Sequence, residues 1–287
     1  MKYIKAKTIL SKVKDDNYFG FSYNMNLYRG CQHACIYCDS RSKCYHMDEL
    51  HKIYIKENAI ALLDNELSRK RHKGTIGFGS MNDPYMPIEK EQGLTRRALE
   101  LIVNYRYPVH IITKSDLVLR DLDLLKRLKE IYCAVTFTIT TADDDLAARI
   151  EPHAPSPSNR FKAISKLREA GVYCGITMMP ILPFINDSEE NVQSMVESAR
   201  QAGANYILPF FGVSLREGSR EYFYKQLDRL FPELKQRYIE EFGNSYACNA
   251  TNANALYKIL KETCQNYGIS NKMRFYAAES STQLAFF

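Results

Sequence analysis

No stretch of this 287-residue chain approaches the roughly 18 consecutive apolar residues that a membrane-spanning helix needs. The first residues, Met1-Lys2-Tyr3-Ile4-Lys5-Ala6-Lys7, carry charge where an export signal would carry an apolar core. The eight cysteines are irregularly spaced, which fits a reducing compartment better than a disulfide framework. Together these absences lead us to expect a cytoplasmic protein with no membrane segment. Low-complexity linkers and internal repeats are also missing, so the length admits one large α/β domain or two small ones.

What is present is concentrated in eight residues, Cys31-Gln32-His33-Ala34-Cys35-Ile36-Tyr37-Cys38. The spacing is C-x3-C-x2-C, with an aromatic residue directly before the third cysteine. Each iron of an iron–sulfur cube takes a thiolate, so three thiolates hold three irons and leave the fourth open to a small molecule. A zinc site is the rival reading, with Cys44 or His46 as fourth ligand. Zinc ribbons pair two distant C-x2-C knuckles, however, and the chain has no second knuckle. Cys133 and Cys174 lie in apolar, strand-like runs and read as structural thiols. Cys248 and Cys264 are singly placed and lack the spacing of a second cluster.

Net charge is +6 and unevenly spread. Lys2, Lys5, Lys7, Lys12 and Lys14 precede the first acid, and Arg69-Lys70-Arg71-His72-Lys73 form a compact basic run. Such clusters can neutralise phosphates; the second can equally cap a helix C-terminus, where cations are favoured.

Beyond the cysteines, helical and strand patterns alternate. Helices are expected over 56–70, 94–105, 117–131, 161–170 and 191–202. Strands are expected over 23–27, 75–79, 109–113, 133–139, 172–178 and 206–208. This alternation argues βαβ units and a parallel sheet. Six strands fall short of an eight-fold barrel, which predicts an α/β fold, an open partial (β/α)6 TIM-like barrel. The cysteine loop follows the first strand and so belongs at the strand C-termini, where parallel barrels carry their chemistry. From about Gly218 the pattern becomes helical. We therefore expect a partial barrel over 1–217 and a C-terminal helical extension over 218–287 packed on it.

The cysteine motif resembles that of the radical S-adenosylmethionine (SAM) superfamily. In that family the open iron of a 4Fe–4S cluster is chelated by the amino and carboxylate groups of SAM, which is cleaved to a 5′-deoxyadenosyl radical. Further strings narrow the resemblance. Asp83-Pro84-Tyr85-Met86-Pro87-Ile88-Glu89 is similar to a string in spore photoproduct lyase-like (DNA repair photolyase-like) proteins. So, in order, are Ile112-Thr113-Lys114-Ser115, Ile150-Glu151-Pro152-His153-Ala154-Pro155 with Arg160, and Met179-Pro180-Ile181-Leu182-Pro183. The match covers roughly residues 20–215. It implies that Cys31, Cys35 and Cys38 hold the cluster and that backbone groups around Ser80, Asn82 and Asp83 meet the SAM amino group. It further implies that Lys114 faces the SAM carboxylate, that Tyr37 lies against the adenine, and that Thr138 or Thr140, Glu151 and Arg160 add polar groups to the pocket.

One departure matters. Spore photoproduct lyase carries a hydrogen-donating cysteine in the loop after its second strand, where this chain has Ser80; an O–H bond is a much poorer hydrogen donor than S–H. Tyr85 is the alternative donor. The resemblance implies a ferredoxin- or flavodoxin-type electron donor and a nucleic-acid substrate, either a DNA lesion or a modified nucleotide. A small metabolite, peptide or RNA substrate, or a non-catalytic metal-stapled recruitment module, remains open at this point. The last residues, with Gln283, Leu284, Phe286 and Phe287, look like the peptide by which bacterial repair proteins bind the sliding clamp.

Overall fold

Six short, mostly apolar runs form parallel strands in the computed structural model, which describes residues 2–14, 16–47 and 49–277. They are β1 (Tyr23–Met25), β2 (Ile76–Phe78), β3 (Val109–Thr113), β4 (Cys133–Thr138), β5 (Tyr173–Met178) and β6 (Ile207–Pro209). They pair in chain order with parallel register, for example Tyr23 with Ile76, Ile76 with Val109 and Val109 with Cys133. Leu10–Lys12 adds an antiparallel strand at the β1 edge. The helices that cross between the strands include α1 (Ala59–Arg69), α2 (Leu94–Tyr105), α3 (Leu122–Leu128), α4 (Pro157–Glu169) and α5 (Glu189–Gln201). This is the open six-stranded barrel expected from the sequence.

Alternation along the strands divides their side chains between two environments. Val109, Ile111, Cys133, Val135 and Phe137 join the helices in the main core. The alternate residues form the barrel interior. Toward the strand N-termini this interior is polar and aromatic: His110 Nε2 lies 2.6 Å from Thr136 Oγ1, which lies 2.6 Å from the Tyr206 hydroxyl. Phe19 and Phe21 pack edge-on against His110. Tyr206 can lie there because residue 175 is glycine; a Cβ at Gly175 would meet the Tyr206 carbonyl oxygen at 2.4 Å.

The C-terminal extension differs from the expectation of helices alone. Besides α6 (Ser219–Leu230), α7 (Pro232–Phe242) and α8 (Ala253–Asn266), it contains the strand Ala247–Asn249, antiparallel to Gly212–Ser214. In that strand Cys248 is buried between exposed neighbours, a period-2 pattern too short to stand out in the sequence. Leu256, Leu260 and Cys264 of α8 enter the main core, while Phe223, Leu227 and Tyr238 of α6 and α7 pack with Cys35, Ile36 and Tyr37. The segment beyond α8 then crosses the strand N-termini. Ile207 N–H donates to Ser270 O (2.9 Å), Tyr132 O–H to Arg274 O (2.6 Å), and Arg274 N–H to Tyr173 Oη (2.8 Å).

Two further expectations are corrected. Residues 117–131 are not one helix: a 3-10 turn, Asp116–Asp121, precedes α3, because Ser115 Oγ accepts the Leu117 N–H and starts a tighter turn. Helix α4 starts four residues earlier than expected, with Ser156 accepting the Asn159 N–H and Pro157 at the first helical position. The lysine-rich opening segment is partly a strand, Lys2–Ile4, paired parallel to Tyr54–Lys56. The proposed clamp peptide with Gln283, Leu284, Phe286 and Phe287 lies outside the described residues.

Candidate active site at the strand ends

The cysteine loop is held from both sides by backbone hydrogen bonds: Cys31 N–H to Leu50 O (2.8 Å), Ile36 N–H to Ile150 O (2.9 Å), and His153 N–H to His33 O (3.3 Å). Ala34, between the first two cysteines, adopts φ 56°, a left-handed turn that curls the loop. As a result Cys31, Cys35 and Cys38 all line one cavity of about 310 Å³. Ser80, Asn82, Asp83, Lys114 and Thr138 line it too, from the C-terminal ends of β2, β3 and β4. The β2 loop can approach β3 because residue 79 is glycine at φ 95°; a Cβ there would sit 2.1 Å from Ile112 O.

Asp83 is the hub that joins this loop to the cysteines. Its carboxylate accepts from Thr113 Oγ1 (2.7 Å), Lys114 N–H (2.6 Å) and Tyr85 N–H (2.9 Å), and lies 3.1 Å from His33 Nε2. Burial pushes the carboxyl up, but the His33 charge and these hydrogen bonds outweigh it and hold Asp83 at about 2. Its oxygens are thus occupied by the protein, so its part is to fix the geometry of β2, β3 and the cysteine loop. His33 and Thr113 were missed as site residues by the sequence reading; the position of His33 inside the cysteine motif was the available signal.

A second buried chain runs behind the cysteines. Tyr37 O–H donates to Glu151, whose other oxygen lies 2.5 Å from Arg160 Nη2. Arg160 also donates to Thr138 O and Pro155 O, each at 2.8 Å. Glu151 and Arg160 are each about 1% exposed and do not line the cavity. This corrects their expected role as pocket groups: they hold Tyr37 and the end of β4 from behind. Thr140 and Tyr85 are corrected likewise. Thr140 is buried away from the cavity. The Tyr85 hydroxyl donates to Asp121 (3.1 Å) in a fully buried network and is no hydrogen donor to the cavity. Asn82 lines the cavity, while its side-chain N–H donates to Tyr28 O (2.7 Å).

The cluster fits the donors present. Burial, reinforced by the Asp83 charge, pushes Cys31 up to about 11, and burial raises Cys35 despite the opposing pull of Lys114. Thiols so placed ionise when a cationic centre coordinates them. Among the described residues, no three His, Cys, Asp or Glu side chains are grouped to hold one metal ion. Thiolates that each meet a different iron of a cube need no such convergence. Cys44 is exposed, with its sulfur 3.6 Å from Arg216 Nη1, and neither it nor His46 lines the cavity. The zinc reading with either as fourth ligand gains no support.

Lys114 keeps its charge in this setting. Burial lowers its pKa, but Cys35 and Glu151 more than offset that and raise it above the usual lysine value. Its ammonium stands 5.7 Å from the Tyr37 ring centroid. The basic run 69–73 is elsewhere. Lys70 lies over Tyr23 and Lys73 over Tyr107, where β1 begins and just before β3. The run therefore sits at the opposite end of the barrel from the cavity. No helix among the described residues is long and apolar enough to cross a membrane.

Comparison with known proteins places this geometry. The profile of the radical SAM superfamily matches residues 25–196. An uncharacterized protein of Methanocaldococcus jannaschii is 35% identical over 254 residues, covering 84% of this chain and 91% of that protein. An uncharacterized protein of Mycobacterium tuberculosis is 31% identical over 245 residues, covering 83% of this chain and 72% of that one. A radical SAM Nalpha-GlyT isomerase of Pseudomonas phage M6 is 24% identical over 76% of this chain and 45% of its own length. In fold, the chain is similar to a spore photoproduct lyase variant solved with bound AdoMet and dinucleoside spore photoproduct. The TM-score is 0.68 at 16% identity, over 92% of this chain and 78% of that one. With the superfamily matched over more than half of its length, the chain is an enzyme of the radical SAM superfamily.

Proposed function

We propose that this enzyme binds a 4Fe–4S cluster through Cys31, Cys35 and Cys38 and SAM beside it, and acts on a nucleotide within a nucleic acid. The observation that carries the reading is the single cavity that the three cysteines share with Ser80, Asn82, Lys114 and Thr138. When bound, the cluster would pass one electron from a ferredoxin- or flavodoxin-type donor to SAM, supplying a carbon-centred radical that abstracts hydrogen from substrate. Lys114, charged and facing the cavity, would hold the SAM carboxylate; backbone groups from Ser80 to Asp83 would hold its amino group. Asp83 keeps those backbone groups in place. Support for a nucleotide substrate comes from the fold shared with spore photoproduct lyase, whose structure holds a dinucleoside. A recessed site of this kind suits a flipped or single-stranded base.

The position of the basic run, at the far end of the barrel, favours a second reading: a small metabolite, peptide or RNA substrate that needs no duplex-binding surface there. Anaerobic reconstitution and reduction with dithionite separate the possibilities. A brown protein that forms 5′-deoxyadenosine, with deuterium transferred into it from labelled oligonucleotides, supports the first reading. Cleavage of SAM with no transfer from any DNA oligonucleotide would favour the second.

A further inference from the structure

Two segments meet at the cavity mouth: residues 39–46, just after the cysteines, and the strand pair formed by 212–214 and 247–249. Tyr45 and Ser214, one from each, line the cavity. Between them stands Arg216, whose side chain is 37% exposed. Its Nη1 donates to the Tyr45 hydroxyl at 3.1 Å and its Nη2 to the Tyr246 hydroxyl at 3.0 Å. The guanidinium carbon lies 5.7 Å and 5.0 Å from the centroids of those two rings. Its nearest carboxylate, on Asp39, is 3.7 Å from Nε, so the positive charge is only loosely balanced. Tyr246 is 51% exposed, and its hydroxyl also reaches Ser214.

An isolated surface arginine is usually mobile; this one is oriented by the two hydroxyls and the Cys44 sulfur, with the Asp39 carboxylate 3.7 Å away. The cluster offers a half-exposed aromatic ring and a fixed cation side by side at the edge of the cavity. Stacking rings beside a cation are what single-stranded nucleic acid uses: the base lies on a ring and the phosphate meets the charge. Arg41 of the first segment makes a further ring–cation pair with Tyr222 of α6, its guanidinium 3.7 Å from the ring centroid. We infer that Tyr45, Arg216 and Tyr246 form a nucleotide-binding platform that holds the residue next to the one entering the cavity, so that the substrate class is single-stranded nucleic acid. This rests on the nucleotide reading proposed above.

The test is fluorescence anisotropy with a labelled ten-nucleotide oligo-deoxythymidine, using the full chain and Tyr246→Ala, Tyr246→Phe and Arg216→Gln. Melting curves verify that each variant is folded. Tyr246→Ala should weaken binding about tenfold, and Tyr246→Phe, which keeps the ring, by less than threefold. For Arg216→Gln, the slope of log affinity against log salt should shrink by about 0.7, the share of one single-strand phosphate contact. A merely structural arginine would leave that slope unchanged. Binding by the wild type that is unaltered in all three variants would overturn the platform and leave the nucleotide reading standing. A wild type that does not bind the oligonucleotide would overturn both.

Discussion

Lys114 carries a charge that burial opposes and that Cys35 and Glu151 sustain. Losing that charge from a desolvated ion pair costs on the order of 2–5 kcal/mol, so Lys114→Ala should weaken SAM binding by that amount in calorimetry while the iron–sulfur absorbance persists. Unchanged affinity would show that the ammonium points elsewhere. Replacing Cys31, Cys35 or Cys38 with alanine should abolish the absorbance, and Cys44→Ala should keep it, since the Cys44 sulfur lies off the cavity beside Arg216. Glu151 calls for a different measurement. Glu151→Gln leaves the Arg160 charge buried without its counter-ion, so urea unfolding should show a loss of about 3–5 kcal/mol. The cysteines were legible from their local spacing, and Lys114 only from the resemblance of its string to a known family. Glu151 and Arg160 were legible as polar residues of the site or as a structural pair; which of the two holds was not, since the side of a strand end that a group serves is set by long-range packing.

Among the strands, the polar chain through β3 and β4 has a determined direction. His110 Nδ1 lies 2.9 Å from Phe19 O, a pure acceptor, so Nδ1 carries the proton and Nε2 accepts from Thr136. Thr136 then accepts from Tyr206. Burial depresses His110 from 6.5 to about 4, against the opposing hydrogen bond to Phe19. The unfolded chain therefore binds a proton between pH 6.5 and 4 that the folded chain does not. Stability is full above pH 6.5 and should fall by about 3 kcal/mol as the pH drops to 4. Comparing denaturation of wild type and His110→Gln across that window isolates this contribution; equal slopes would contradict it. The alternation Val109-His110-Ile111 reads in the sequence as a buried strand with one polar interruption. Its partners lie 91 and 26 residues away and could not be read from it.

At the scale of the whole molecule, the barrel was legible because each βαβ repeat carries its own hydrophobic period. The strand pair of the extension was not, because three-residue strands borrow their stability from a partner 35 residues away. The segment after α8 was equally silent in the sequence, yet it spans the strand N-termini through Ser270, Met273 and Arg274. A chain ending at Gly268 loses the buried Ile269 and Met273 and should melt lower, with a loss of at least about 2 kcal/mol, measured by thermal denaturation. An unchanged melting temperature would show that the barrel closes without it. That same segment packs with Phe19 and Tyr206 toward the strand N-termini, at the far end of the barrel from the cavity that Tyr45 lines. On the function proposed above, a cavity entered from one mouth would take SAM first and substrate second, and the later arrival would trap the earlier. Saturating oligonucleotide should accordingly slow the escape of SAM, giving compulsory-order kinetics.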